Sequence, residues 1–133
     1  MRLTAGDLTI DINCRNGLYA FYDDSATGKS YLTKVLKTLM VSGSEDVCAI
    51  TYDELLTEEV YVDILMRRQY KVVILDRLDL YITDRIEDCI NKIKKNCVVL
   101  IALNDWNKFK RICPDLCDVE FDLKGFKVSE CAN

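Results

Sequence analysis

Histidine is missing from this 133-residue chain. Its absence removes Ser-His-Asp and Cys-His catalytic arrangements, His-ligated metal sites and the usual proton shuttle at neutral pH. Proline occurs once and glycine five times, against 50% hydrophobic and 30% charged residues; that balance builds a core rather than a disordered tail, and one domain spanning 1–133 is expected. No apolar run approaches the roughly 18 to 20 residues of a membrane span, and the amino-terminal residues carry no apolar run of signal-peptide length. The chain therefore reads as soluble and cytoplasmic, without a membrane partner. Basic residues are the minority, 18 against 22 acids, for a net charge of −4 and a pI near 4.9. A diffuse basic surface for nucleic acid is excluded, and only a local basic patch remains. Chemistry is left to Lys, Ser, Thr, carboxylates, Cys or a bound cofactor.

Seven cysteines, at 14, 48, 89, 97, 113, 117 and 131, lie scattered through apolar segments. Reduced thiols that act as small core hydrophobes are the expectation. A zinc site from Cys113, Cys117 and Cys131 is the sharper alternative, but no histidine completes it and a fourth cysteine would have to come from afar.

Along the chain, strand and helix patterns alternate. Leu8 to Ile12 alternates like a strand, Asn16-Gly17 is a hairpin signal, and Leu18 to Tyr22 is an apolar and aromatic strand. From Lys29 the apolar positions Tyr31, Leu32, Val35, Leu36, Leu39 and Met40 repeat at helical spacing, with Lys34 and Lys37 on the other face and Gly43 placed as a cap. Val47 to Tyr52 reads as a buried strand. Thr57 is an N-cap for a helix that turns Val60, Tyr61, Ile64 and Leu65 inward. Val72 to Leu75 has the form of a central parallel strand ending in Asp76. A helix over Asp84 to Lys95, a strand over Cys97 to Leu103, a short helix over Trp106 to Cys113 and a terminal hairpin about Gly125 complete the pattern. The economical fold is a three-layer α/β/α sandwich: a mainly parallel sheet of about five strands, plus an N-terminal hairpin.

The strand ending at Tyr22 runs through Asp23-Asp24-Ser25-Ala26-Thr27-Gly28-Lys29-Ser30 into a helix. This segment resembles the Walker A motif, G-x-x-x-x-G-K-[ST], of P-loop nucleoside triphosphatases. Backbone N–H groups and the positive helix end converge at such a junction, so a phosphate is its natural occupant. The resemblance implies that Ser25 to Tyr31 cradle the nucleotide, that Lys29 reaches the terminal phosphates, and that the Ser30 hydroxyl meets Mg²⁺. Lys71-Val72-Val73-Ile74-Leu75-Asp76 resembles a Walker B strand, in which Asp76 serves the magnesium. Val98 to Asn104 is similar to the strand of RecA/AAA-like ATPases whose terminal polar residue, here Asn104, sits near the γ-phosphate; a turn or N-cap role for Asn104 is the alternative. Membership of that branch implies a strand order of 5-1-4-3-2, counted from the P-loop strand.

Three departures qualify what the resemblance implies. Asp23 stands where the family has its first glycine, and Asp24 adds a second acid beside a bound anion. Arg77 replaces the glutamate that polarises the attacking water, leaving Asp79, Asp53 or Glu54 as candidate bases. No arginine finger can be assigned among Arg77, Arg85 and Arg111. The leading expectation is an ATP- and Mg²⁺-binding domain with weak or absent hydrolysis. A nucleotide-independent interaction module, such as an accessory subunit or an inhibitor encoded by a mobile element, is the alternative; a small P-loop kinase is the third. Two basic runs, Lys92 to Lys95 and Lys108 to Arg111, are either solvated helix faces or a local contact surface for nucleic acid or an acidic partner.

Overall fold

In the computed structural model, which describes residues 1–21, 26–103, 106–109 and 111–131, the uninterrupted apolar runs become the middle of a sheet. β3 (Gly17–Phe21), β4 (Val47–Ile50), β5 (Val72–Leu75) and β6 (Val98–Ile101) run parallel in the order β3-β6-β5-β4. Helices cover both faces of these strands, which explains why nearly every residue in them is apolar. On one face α1 (Ala26–Val41) sets Leu32, Val35 and Leu36 against Val47, Ala49, Val72, Ile74, Val98 and Leu100. On the other, α2 (Glu58–Met66) and α3 (Asp84–Ile93) set Tyr61, Leu65, Ile86 and Ile90 against Cys48, Ile50, Val73, Leu75, Val99 and Ile101.

The helix ends follow from local chemistry. Thr57 and Thr83 accept the backbone N–H groups of Val60 and Ile86, and acids fill both first turns. Gly43, at φ +107°, ends α1: its N–H reaches the Met40 carbonyl while that of Ser44 reaches Leu39, the paired bonds of a Schellman motif.

The expected five-strand sandwich is corrected by the rest of the sheet. Eight strands form one mixed sheet in the order β1-β2-β8-β7-β3-β6-β5-β4, with β1 (Arg2–Ala5), β2 (Leu8–Asn13), β7 (Asp115–Asp122) and β8 (Gly125–Glu130) making up its other half. β1 with β2 and β7 with β8 are antiparallel pairs, whereas β2 with β8 and β7 with β3 are parallel. α1 touches β1 and β7 as well as β4 and β5, so the sheet curls around it as a half-barrel. Only α1 covers this half: Ile10, Ile12, Cys117, Phe126 and Val128 point toward it, while Thr9, Asp118, Glu120 and Lys127 alternate outward.

Two local expectations also change. The N-terminal hairpin is β1-β2, turned by Gly6 at φ +61° and Asp7, the position where a type II′ turn needs glycine; Asn16-Gly17 is not a hairpin turn, because β2 pairs with β8 and β3 with β6 and β7. The short helix over Trp106 to Cys113 reduces to a 3₁₀ turn at Trp106–Lys108, as a helix so short lacks the propagation to repay its nucleation. No helix among the described residues is long and apolar enough to cross a membrane.

Gly125 joins the two hairpins of the sheet's other half, β1-β2 and β7-β8. A Cβ there would lie 1.9 Å from the Thr9 carbonyl oxygen, and its φ is +143°, so only glycine lets β8 lie beside β2. Gly125→Ala is expected to destabilise the protein by about 3 kcal/mol or more in urea unfolding. Gly6→Ala, at a positive φ but in open space, costs about 1 kcal/mol.

Candidate functional site

Parallel strands deliver their carboxyl ends to one edge, and in open α/β sheets that edge is where ligands collect. Here it gathers the start of α1 from β3, a 3₁₀ turn at Tyr52–Glu54 after β4, and a second 3₁₀ turn at Leu78–Leu80 after β5. Both non-glycine residues with left-handed backbone among those described, Leu55 at φ 51° and Arg77 at φ 49°, lie here. Such strain survives where the surrounding structure enforces it, and functional sites concentrate it.

α1 begins at Ala26, so the backbone N–H groups of Ala26, Thr27, Gly28 and Lys29 are the four that an α-helix leaves without an internal acceptor. Asp23, Asp24, Ser25 and Asn104 lie outside the described residues, as do the side chains of Ala26 to Gly28. Lys29 is half-buried and Ser30 exposed. Tyr31 turns away from the edge onto the terminal hairpin, edge-on to Phe121 at 5.1 Å and Phe126 at 5.4 Å.

Asp76 continues β5, and its N–H donates to the Ile50 carbonyl at 3.0 Å. Burial pushes its carboxyl above the usual range, Asp53 adds to the push, and Arg77 and Lys29 oppose it. Lys29 and Asp53 therefore both lie within electrostatic reach of Asp76, although they are 47 and 23 positions from it in sequence. No cluster of three or more metal-ligating side chains occurs among the described residues. A magnesium that keeps its waters and takes one or two carboxylates plus substrate phosphates needs no such cluster, and a partly desolvated Asp76 beside exposed Asp53 suits that kind of binding. The cysteines form no metal centre there: Cys117 is buried in the core beneath α1, Cys113 is exposed, and Cys131 is half-buried. Burial pushes the Cys48 thiol up to about 12 and the Cys97 thiol to about 11, which keeps both protonated and inert.

Of the three carboxylates named as candidate bases, Asp79 and Glu54 are engaged elsewhere, whereas Asp53 is exposed. Asp79 is 3% exposed, with Arg77 Nε and Nη2 each donating to it at 3.3 Å. Glu54 receives the Thr51 N–H at 2.8 Å and the Lys37 ammonium. Lys37, which the helical pattern assigns to the solvated face, instead leans over the sheet edge and also donates to the Ala49 carbonyl at 3.2 Å. Of the basic runs, Arg111 is neutralised by Asp84 and Asp88, and its N–H is held by buried Glu87.

Sequence reasoning passed over a second feature of this edge. Tyr52, Leu55, Leu56, Tyr61, Leu80 and Tyr81 wall a groove of about 760 Å³. Tyr61 and Tyr81 stack at 4.7 Å, and the buried Tyr81 hydroxyl has no hydrogen-bond partner. The only sequence signal was a pair of leucines, 55 and 80, just outside any helical or strand period.

Arg77→Ala is expected to cost about 2 to 3 kcal/mol in urea unfolding, because it removes the guanidinium from the buried Asp79 carboxylate; the one-third exposure of the guanidinium keeps this below the full loss for a buried pair. The double change Arg77→Met, Asp79→Leu should recover most of that loss. Tyr81→Phe, which deletes an unsatisfied hydroxyl, should raise stability by about 1 kcal/mol in the same assay.

No protein-family model matches the chain, and no curated protein or solved structure matches it.

Proposed function

We propose that the chain is a P-loop domain that binds ATP with Mg²⁺ and hydrolyses it weakly or not at all. The observation that carries this reading is the convergence on one sheet edge of Gly28-Lys29-Ser30, in the opening turns of a helix entered from a parallel strand, and Asp76, which feels the Lys29 charge from the end of β5. The N–H groups of a helix's first turn and the helix dipole attract a phosphate, Lys29 neutralises its charge, and Ser30 with Asp76 supplies the oxygens a magnesium takes. Bound magnesium would offset the charge of the phosphates.

Weak turnover follows from the surrounding groups. A water-activating base needs a carboxylate oxygen free to accept a proton; of the three candidates, Asp79 is held by Arg77 and Glu54 by Lys37 and the Thr51 N–H, which leaves Asp53. Arg77 stands beside Asp76, where hydrolases of the resembled family carry glutamate. With two of the three candidate bases committed to the fold, the arrangement favours holding a nucleotide over cutting it.

Isothermal calorimetry with ATP and MgCl₂ is expected to give saturable binding. Lys29→Ala should weaken it by about tenfold or more, and Asp76→Asn should remove its dependence on magnesium. Heat flow indistinguishable from dilution at millimolar nucleotide would overturn the reading.

A further inference from the structure

We propose that the groove between the two 3₁₀ turns and α2 is a docking site for a basic, amphipathic helix of a partner protein. The groove shares Asp53 with the proposed nucleotide site and includes none of Lys29, Ser30 and Asp76 in its lining.

Exposure and strain in the groove point to an occupant. Leu55 is 86% exposed, Leu80 53% and Tyr52 52%, and together they form a contiguous apolar surface of the kind that marks an interaction site. Leu55 keeps a left-handed backbone, φ 51°, while its side chain packs against almost nothing. A leucine held in that conformation on the surface does little for the free fold, and glycine would sit there without strain. The buried, unpartnered Tyr81 hydroxyl on the same wall is a hydrogen-bonding group that the isolated chain leaves unused.

Charge selects the partner's chemistry. Asp53 and Glu58 are the charged residues lining the groove, and no Lys or Arg lines it. Arg85, nearby, is taken up by Glu58 and Glu59, and Asp53 makes no ion pair among the described residues. An apolar floor with an acidic rim complements leucine-type anchors flanked by Lys or Arg.

The sheet edge selects the partner's shape. An extended peptide would have to add to β4, the outermost strand on this side. The outward groups of Ala49 are already bonded, its N–H to Met40 Sδ at 3.3 Å and its carbonyl to the Lys37 ammonium. α1 thus occupies the edge where a strand would add, which favours insertion of a helix into the groove.

The test uses the full chain and a fluorescein-labelled peptide of leucine and lysine at amphipathic helical spacing, with a glutamate-for-lysine counterpart as control, read by fluorescence anisotropy. The lysine peptide should bind, weaken as salt rises, and lose about tenfold or more in affinity on Leu55→Glu or Leu80→Glu. Asp53→Lys should weaken it comparably, whereas Asp118→Lys, an equal charge change on the exposed face of β7, should not. Lys29→Ala, which removes a positive charge from the edge, should not weaken binding of the basic peptide, so loss of nucleotide binding and loss of docking are read separately. Leu55 and Leu80 are exposed, so their variants are expected to keep the native circular dichroism. Equal binding of the glutamate peptide, or indifference to both leucine changes, overturns the proposal. So does self-association in sedimentation that Leu55→Glu abolishes, which would assign the groove to a second copy of the chain.

Discussion

Four short strands, buried on both faces, impose the condition that everything else in this protein satisfies. β4, β5 and β6 are buried at every position, and β3 at all but its first residue. Their backbone groups have no water to bond, so each N–H and C=O must pair within the sheet or find a side chain. Inside the sheet the parallel ladders meet this need. At β4, the outermost strand, they cannot, and α1 supplies the missing partners through Met40 and Lys37. Lys37 then draws in Glu54, which caps the turn after β4. One helix thus covers the core, seals the sheet edge and ties down a loop of the candidate site.

The same helix governs the other half of the sheet. Because α1 touches strands from both ends, the sheet must curl, and the hairpins β1-β2 and β7-β8 supply the curled wall. Tyr31, Phe121 and Phe126 are the aromatic seam where helix and wall meet, with ring centroids 4.7 to 5.4 Å apart. The opening turns of α1, from which the phosphate site is read, are therefore braced from the far side by the terminal hairpin.

What the sequence made legible was whatever is encoded locally. Val72 to Leu75 and Val98 to Ile101 announce central strands because both their faces are apolar; Thr57 and Gly43 announce helix ends because capping is a matter of adjacent backbone groups. Long-range pairing was not legible. Asn16-Gly17 has turn chemistry, yet burying Ile10 and Ile12 against α1 beside Phe126 and Val128 draws β2 to a strand more than one hundred positions away. Lys37 falls on the polar side of any helical wheel, and nothing in the wheel reveals that an exposed sheet edge waits there. The candidate site divides in the same way. Gly28-Lys29-Ser30 and Asp76 stand out by motif and by strand end, whereas the capture of Asp79 by Arg77 depends on a left-handed turn that no pattern announces, and the groove exists only once two turns from distant strands stand side by side.

Charge explains how the proposed nucleotide site and an acidic rim can share one edge. Asp53 and Asp76 oppose each other there, and burial raises the energy of the Asp76 anion further. A cation in that place relieves both. Lys29 does so in part from α1, a magnesium with its nucleotide would do so from the phosphate side, and a partner's lysine or arginine would do so from the groove. Three sources of positive charge thus answer one local excess of carboxylate. The excess is maintained because Arg77 and Lys37, the nearest cations on the turns and the helix, are fixed on Asp79 and Glu54. A cationic ligand would be favoured at this edge because Arg77 and Lys37 are already committed to holding the fold.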